Sequence, residues 1–256
     1  PGKEAEPPPP DQAPETPVDC VAQITCTPVN VYFGTSRAPV GPDGNTTQSR
    51  DPKLVSFAAK RSPELTLGRA TVTVPRAFRE RGEIPLPSWW DILKFRNPTR
   101  IDPTRHFTWQ KEATKFYAST GDYVAALRQA MAEPGKSKDH VFIFVHGYNT
   151  TFDNALFRAA QISYDLGEND QPFGTAMLFS WASSGATEDY AYDLDSAGQS
   201  ARLLKAYVKL VTEELKPKHV HLIAHSMGNA PLLMALEDIA RDNQGPAKID
   251  SVILAA

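Results

Sequence analysis

The sequence predicts an α/β fold with a mostly parallel sheet, and three observations lead to this prediction. Short apolar runs typical of buried strands alternate with longer amphipathic segments through the second half of the chain. Strands that alternate with helices in this way form parallel β-α-β units. The 256 residues are 41% hydrophobic and 22% charged, which is ordinary for a globular protein and excludes collagen-like or wholly disordered chains.

The first part of the chain contains fewer regular elements. Residues 1–28 begin with a proline-rich, polar stretch that cannot bury enough apolar surface to fold, so we predict a disordered linker there and one domain over residues 29–256. Alternating apolar side chains predict strands at 29–33 and 66–75. Residues 79–110 are rich in proline and tryptophan, which predicts an irregular connection.

The remaining elements follow from periodicity and length. A continuous apolar run at 141–145 indicates a strand that is buried on both faces, and Pro217 lies just past the end of a long helical pattern. Helices are predicted at 122–132, 152–166, 190–215 and 229–240, and strands at 141–145, 176–181, 219–224 and 249–254.

Composition also limits the partners and cofactors. The formal net charge of −3 offers no basic excess to neutralise phosphates, so no nucleic-acid partner is expected. No apolar run approaches the roughly 20 residues of a membrane-spanning helix. His219 and His221 share one strand face, but no third ligand accompanies them, so we predict no metal and no cofactor. Cys20 and Cys26 fit either a small disulfide loop or two free thiols.

The most informative segment is a strand followed at once by a helix, over residues 219–240. At its corner the chain reads Ala224-His225-Ser226-Met227-Gly228. A nucleophile at such a corner needs small residues two positions before and after it, and Ala224 and Gly228 satisfy this need with one methyl group more than the usual Gly-x-Ser-x-Gly. The alternative interpretation is a serine that only caps a helix.

A second segment complements this corner. The buried strand 141–145 ends in His146-Gly147-Tyr148, followed by a loop and a helix. In acyl-transfer enzymes of this architecture, a loop N–H and the N–H after the nucleophile stabilise the oxyanion, which predicts Tyr148 and Met227 as donors. Gly147 lets the backbone approach the substrate oxygen, and His146 is expected to brace its loop by hydrogen bonds.

With these motifs the chain resembles the α/β-hydrolase superfamily. The sequences HGYN and AHSMGN, with Ser180-Trp181 in the intervening strand, are similar to those of a bacterial group of uncharacterised esterase- or lipase-like proteins. The resemblance extends over residues 29–256 and is strongest from Val141 onward. It implies a three-layer α/β-hydrolase sandwich and a Ser–acid–His triad with Ser226 as the nucleophile.

The other two triad members are missing from their expected place. The triad order in this superfamily is Ser, acid, His, yet no histidine follows Ser226. His225 is adjacent in sequence, but neighbouring side chains diverge at such a turn, so we expect it to pack under the loop. The acids after Ser226 are assigned to a solvated helix face or to the far end of the sheet; they are Glu237, Asp238, Asp242 and Asp250.

We therefore expect a C-terminally incomplete hydrolase that lacks the last strands and helices of the fold, with the acid and histidine beyond Ala256. The predicted function is hydrolysis of carboxylic esters, with a small-molecule or lipid-like substrate, through an acyl-enzyme on Ser226. Without that acid and histidine, the 256 residues alone should be nearly inactive. The alternatives are a non-catalytic binding or scaffold protein of the same fold, and an acyltransferase or thioesterase. The proline-rich tail and the cysteines favour an exported or envelope-associated protein.

A few residues near these motifs have two interpretations. Trp181 either shapes the acyl site or packs in the core. Tyr190 and Tyr192 are candidates for the rim of a substrate cleft. The acids at the start of the long helix are expected to complement its dipole; they are Glu188, Asp189, Asp193 and Asp195.

Overall fold

The computed structural model describes residues 26–49, 51–76, 107–132, 139–169, 171–242 and 248–256. Most of the predicted linker at 1–28, and residues 79–106 of the predicted irregular connection, lie outside the described residues, as does Cys20. Cys26 is disulfide-bonded, in agreement with the first of the two cysteine alternatives.

Seven strands form one sheet within the described residues. Its spatial order is β3-β2-β1-β5-β4-β6-β7. Only β2 runs against its neighbours, because β1–β2 and β2–β3 are antiparallel and all other pairs are parallel. The strands are β1 (Cys26–Val40), β2 (Ser56–Pro75), β3 (Thr108–Tyr117), β4 (His140–Val145), β5 (Thr175–Ser180), β6 (His219–His225) and β7 (Ser251–Ala255).

Among the described residues, four α-helices cover the two faces of this sheet. They are α1 (Thr120–Ala132), α2 (Phe152–Asp165), α3 (Tyr190–Lys209) and α4 (Asn229–Arg241). Short 3₁₀ turns at Thr187–Asp189 and Ser226–Gly228 precede α3 and α4. A π-helical segment, Leu210–Leu215, extends α3 and ends at Lys216 in a left-handed conformation, with φ of 55°.

The sheet separates two apolar cores, which gives the predicted three layers. Helix α2 packs on one face against Phe142 and Phe144 of β4. Helices α1, α3 and α4 pack on the other face, against Ile143 and Val145 of the same strand. Alternate β4 side chains thus enter opposite cores, and this is why the strand is apolar at every position from Val141 to Val145.

The predicted α/β fold is confirmed, and the differences lie mainly in the first half. Strands β1 and β2 extend well beyond the predicted 29–33 and 66–75, and they pair over most of their lengths. Strand β3 replaces part of the predicted irregular connection at 79–110. Its charged residues, such as Lys111 and Glu112, obscure the alternation because β3 is an edge strand that is only half-buried.

The parallel arrangement fixes where loops can meet. Strands β5, β4 and β6 are adjacent and parallel, so their carboxyl ends lie side by side at one edge of the sheet. In open parallel sheets, ligands bind at this edge. Among the described helices, none is both long and apolar enough to cross a membrane.

Candidate active site

The chain turns sharply at the end of β6. Ser226 has a φ of 51°, a left-handed conformation that non-glycine residues rarely adopt. The 3₁₀ turn Ser226–Gly228 leads directly into α4. Ser226 itself is exposed at the carboxyl edge of the sheet. A strained, solvent-facing serine at a strand-to-helix corner is the geometry that the sequence pattern predicts.

Two small residues allow this corner to pack closely. Ala224 is fully buried and pairs with Val145 of β4. A Cβ atom on Gly228 would lie 2.3 Å from the His146 carbonyl oxygen and 2.9 Å from that of Val145. Real Cβ atoms do not approach backbone oxygens this closely, so position 228 excludes any side chain.

We expect Gly228→Ala to lower the free energy of unfolding by roughly 2–3 kcal/mol, because backbone atoms of β4 must move to accommodate the methyl group. Gly198→Ala is the matched control, since a Cβ atom on Gly198 in α3 would contact nothing within 4 Å. That change should stabilise the helix slightly. Urea unfolding of both variants checks this, and equal stabilities would contradict the close packing at Gly228.

The loop after β4 lies directly on the corner. A Cβ atom on Gly147 would lie 3.1 Å from Ser226 Cβ and 2.9 Å from His225 Nδ1. Within the described part of the chain, the next residue, Tyr148, donates its backbone N–H to no acceptor. Met227 lies in the first turn after β6, where helical N–H groups have no partner inside the helix. Tyr148 and Met227 therefore each lie next in sequence to the two residues, Gly147 and Ser226, that come into close contact here.

His146 braces this loop from below, as predicted. It is only 1% exposed, and its ring stacks on the Trp181 ring with centroids 5.0 Å apart. Nδ1 lies 2.9 Å from the Gly147 oxygen, and Nε2 lies 3.2 Å from Ser180 Oγ and 3.1 Å from the Trp181 oxygen. The Trp181 indole N–H donates to the His146 oxygen at 2.7 Å. Trp181 is fully buried and supports the loop from the core, so it does not line an acyl site.

Burial, helped by the nearby Arg37 guanidinium, lowers the pKa of His146 from 6.5 to about 3. The folded protein thus keeps His146 neutral at pH values where the unfolded chain protonates it. We expect stability to fall as the pH drops below 6.5 towards 3, by about 1 kcal/mol for each pH unit. Burial also lowers the pKa values of His140 and His225, which adds to the slope.

Unfolding in urea between pH 7 and pH 4.5 measures this dependence. His146→Asn is the matched variant, because it removes the titrating ring and keeps an amide at the position of Nδ1. Its stability should depend less steeply on pH than that of the wild type. Parallel pH profiles for the two proteins would show that His146 is not the buried neutral group.

A buried arginine, which the sequence analysis missed, joins the loops around the corner. Arg37 lies on β1 and is 1% exposed. Its Nη2 donates to the Thr150 oxygen at 2.6 Å, and its Nη1 donates to the Ser183 oxygen at 2.9 Å. Nη1 also donates to the Ala58 oxygen on β2. Burial lowers the pKa of Arg37 to about 10, which leaves the side chain charged at neutral pH. The single cation thus cross-links the loops after β4 and β5.

Asp193 is the anionic counterpart. It lies in the first turn of α3, where the helix dipole favours an acid, and it is fully buried. Its carboxylate accepts hydrogen bonds from the Asn149 N–H at 3.1 Å, the Ser183 hydroxyl at 2.6 Å and the Ser184 N–H at 2.7 Å. Asn149, directly after Tyr148, has a φ of 52°. Asp193 therefore fixes the left-handed residue that shapes the loop after β4.

The rim of this region contains exposed apolar side chains. Tyr190 is 56% exposed, and its ring contacts that of Tyr148 edge-to-face. Leu194, one helical turn along α3, is 53% exposed. Tyr192 was predicted at the same rim, but its hydroxyl donates to the Ala59 oxygen on β2 and Arg61 lies over its ring. Tyr190 is therefore exposed beside the loop after β4, whereas the Tyr192 side chain is held against β2.

The described histidines provide no base for Ser226. His225 lies beside Gly147 and is exposed, so it is not packed under the loop as predicted. His140, His219 and His221 stack on one another at the amino ends of β4 and β6, at the opposite edge of the sheet. Among the described side chains, none hydrogen-bonds to Ser226 Oγ, and His106 lies outside them.

The acidic residues after Ser226 are all engaged elsewhere. Asp250, at the amino end of β7, accepts the Val220 N–H and contacts His219 Nδ1 at 3.0 Å. Glu237 and Asp242 form ion pairs on the helix surface, with Arg241 and with Lys205 respectively. Within the described ranges, no group of three or more His, Cys, Asp or Glu side chains is arranged to hold a metal ion.

Comparisons with known proteins agree with the fold. The family described as "Alpha/beta hydrolase of unknown function (DUF900)" matches residues 124–256. A curated relative from Nostoc sp. (strain PCC 7120), "Uncharacterized protein alr1448", is 24% identical over 135 residues, which cover 44% of this chain and 35% of that protein. The chain therefore spans only about a third of the length of this relative. No solved structure matches the chain significantly.

Proposed function

This chain belongs to the DUF900 family of α/β hydrolases, and on that premise we propose that it is a serine hydrolase that cleaves carboxylic esters. The observation that carries the proposal is the left-handed, exposed Ser226 at the corner between β6 and α4. At such a corner the Ser226 hydroxyl projects away from the surrounding backbone, so that the carbonyl carbon of an ester can approach it. In the proposed reaction, Ser226 Oγ attacks the carbonyl, and an acyl-enzyme forms as the alcohol leaves.

The oxyanion of the tetrahedral intermediate would be bound by the N–H groups of Tyr148 and Met227. Support comes from the closeness of Gly147 to Ser226 and from the absence of a described acceptor for the Tyr148 N–H. The start of α4 adds a favourable dipole near the same point. Fixed donors of this kind contribute about 3 kcal/mol each to transition-state stabilisation in related chemistry.

The general base and its acid partner would come from residues that follow Ala256. Two observations support this part of the proposal. The six histidines all precede Ser226 in the sequence. Of those that the structure describes, His146 is buried and hydrogen-bonded within its loop, and three others lie at the opposite edge of the sheet. A serine without a base is a weak nucleophile, so the proposal requires a partner supplied from elsewhere.

We infer an apolar, small-molecule or lipid-like ester as the substrate. Tyr190 and Leu194 lie on the same side of α3 as the buried Ala197 and Ala201, because residues three to four and seven apart share a helix face. The two side chains nevertheless remain about half exposed, and the Tyr190 ring contacts that of Tyr148. An apolar acyl group bound above Ser226 would cover them.

A fluorophosphonate probe on the full-length protein tests the proposal. The probe phosphonylates activated serines, and peptide mass spectrometry then locates the label. We expect one label on Ser226, no label in Ser226→Ala, and full labelling in Ser251→Ala. Ser251 is the matched control because it lies at the amino end of β7, at the opposite edge of the sheet. A full-length protein that is neither labelled nor active on p-nitrophenyl esters would favour the non-catalytic binding or scaffold protein.

A further inference from the structure

Three buried polar side chains form a continuous path from β1 to the loop after β4. Arg37 Nε lies 3.0 Å from Ser180 Oγ, and Ser180 Oγ lies 3.2 Å from His146 Nε2. His146 Nδ1 lies 2.9 Å from the Gly147 oxygen. Arg37, Ser180 and His146 are each at most 1% exposed, so bulk water does not compete for these contacts. We call this path the Arg37 relay.

We propose that the Arg37 relay fixes the protonated nitrogen of His146 and thereby aims the Tyr148 N–H at the substrate oxygen. The inference rests on the proposed serine hydrolase function, in which that N–H is an oxyanion donor. Arg37 and Ser180 are positioning residues in this scheme, since both act through His146 and neither touches the substrate.

The direction of the relay follows from the chemistry of its first member. A guanidinium has only N–H donors, so Ser180 Oγ must accept from Arg37 Nε. The single O–H group of Ser180 is then free to donate a hydrogen bond to His146 Nε2. A neutral imidazole carries one proton, and Nε2 as acceptor leaves that proton on Nδ1. Nδ1–H donates to the Gly147 oxygen.

One contact opposes this assignment, and it makes the assignment testable. The Trp181 carbonyl oxygen lies 3.1 Å from His146 Nε2 and would accept a hydrogen bond from a protonated Nε2. The two carbonyls at Gly147 and Trp181 thus favour opposite tautomers. Burial depresses the pKa of the imidazole, so a doubly protonated ring that serves both is disfavoured at neutral pH. The hydroxyl of Ser180 therefore decides between the two tautomers.

The tautomer of His146 determines whether Nδ1 can hydrogen-bond to the peptide unit between Gly147 and Tyr148. The Gly147 carbonyl and the Tyr148 N–H belong to one planar peptide, and they point in opposite directions. A hydrogen bond from Nδ1 to that carbonyl therefore directs the N–H away from His146. In the other tautomer the Nδ1 lone pair would face the carbonyl oxygen at 2.9 Å, and repulsion would rotate the peptide.

The tautomer can be measured without any enzymatic assay. Full-length protein with ¹⁵N-labelled histidine rings is examined by long-range ¹H–¹⁵N NMR at pH 7, and His146 is identified by its absence from the His146→Asn spectrum. We expect a protonated Nδ1 in the wild type and a protonated Nε2 in Ser180→Ala. Ser36→Ala, which removes a buried hydroxyl bonded to Ser200, should leave the tautomer unchanged. A protonated Nε2 in the wild type, or no switch in Ser180→Ala, overturns the relay.

Steady-state kinetics on an ester substrate then test the positioning. Ser180→Ala and His146→Gln should each lower kcat about 10- to 100-fold with KM changed less than about threefold, because a misaimed donor acts on the transition state. His146→Asn retains an amide donor near the Nδ1 position and should recover most of this loss. A tautomer switch with unchanged kcat overturns the positioning role. If Ser226→Ala keeps wild-type activity, the proposed function fails, and the NMR result still decides the relay.

Discussion

Ser226→Ala is expected to lower kcat for ester hydrolysis in the full-length protein by about 10⁴-fold or more, with little change in KM. The loss is large because the hydroxyl forms the covalent bond, and the oxyanion donors and binding contacts alone leave only a small residual rate. The measurement is steady-state hydrolysis of a p-nitrophenyl ester, with Ser251→Ala as the control that should retain full activity. A Ser226→Ala protein that turns over at the wild-type rate would place the nucleophile elsewhere.

The backbone at this corner predicts a second consequence of changing Ser226. A left-handed conformation costs a non-glycine residue about 1 kcal/mol or more, and glycine is free of that cost. Ser226→Gly should therefore be as inactive as Ser226→Ala but more stable than it by roughly 1 kcal/mol in urea unfolding. Opposite changes in stability and activity at one position are expected where strain is retained for function. Equal stability of the two variants would mean that the corner is not strained.

Local sequence patterns were sufficient to predict the parts of the site that depend on local backbone shape. Gly228 was predicted to be small because a nucleophile corner crowds its own chain, and the structure adds the atom that it avoids, the His146 oxygen. The apolar run 141–145 likewise predicted β4, since the part of a strand that is buried on both faces is apolar at every position. In both cases the sequence pattern that leads to the prediction spans only a few positions, although the atoms that crowd Gly228 belong to β4 and the loop after it.

Residues whose partners are distant in sequence could not be predicted in the same way. Arg37 is charged and lies in a strand, a pattern that normally indicates a solvent-facing position. Its acceptors at Thr150 and Ser183 are 113 and 146 residues away, so only the folded sheet brings them together. The loop contacts of Asp193 were missed for a related reason. An acid in the first turn of a helix suits the dipole, and nothing in the sequence shows that two loops cover it.

Strand β3 illustrates a third limit. Its pairing with β2 gives it a register in which Trp109 and Tyr117 face inward while Lys115 remains exposed. The pairing contains an irregularity between Arg69 and Thr71, where β2 advances by two residues and β3 by five, so the alternation shifts by three residues. A period-of-two search over the sequence cannot follow such a shift, because every residue beyond it changes faces.

Substitution of Arg37 or Asp193 is expected to lower the stability of the protein strongly. Each is a buried charge surrounded by hydrogen-bond partners, and Asp193 is the largest stabilising electrostatic influence on the Arg37 cation. Removal of either partner leaves the other charged and buried. We expect Arg37→Met and Asp193→Asn each to lower the free energy of unfolding by about 3–5 kcal/mol. If the single variants are too unstable for urea unfolding at room temperature, expression at low temperature and thermal unfolding from low temperature still rank them.

The double variant separates a specific pair from two independent losses. If the charges compensate each other, Arg37→Met combined with Asp193→Asn should lose less stability than the sum of the single changes, with a coupling of about 1–3 kcal/mol. The matched control is the exposed pair Lys218 and Asp139, whose side chains are 72% and 54% exposed and which should show no measurable coupling. Additive losses at Arg37 and Asp193 would mean that each holds its own loop, and that neither charge depends on the other. A coupled pair would make the two loops a single unit, so that any change in the loop after β5 also moves the peptide beside Ser226.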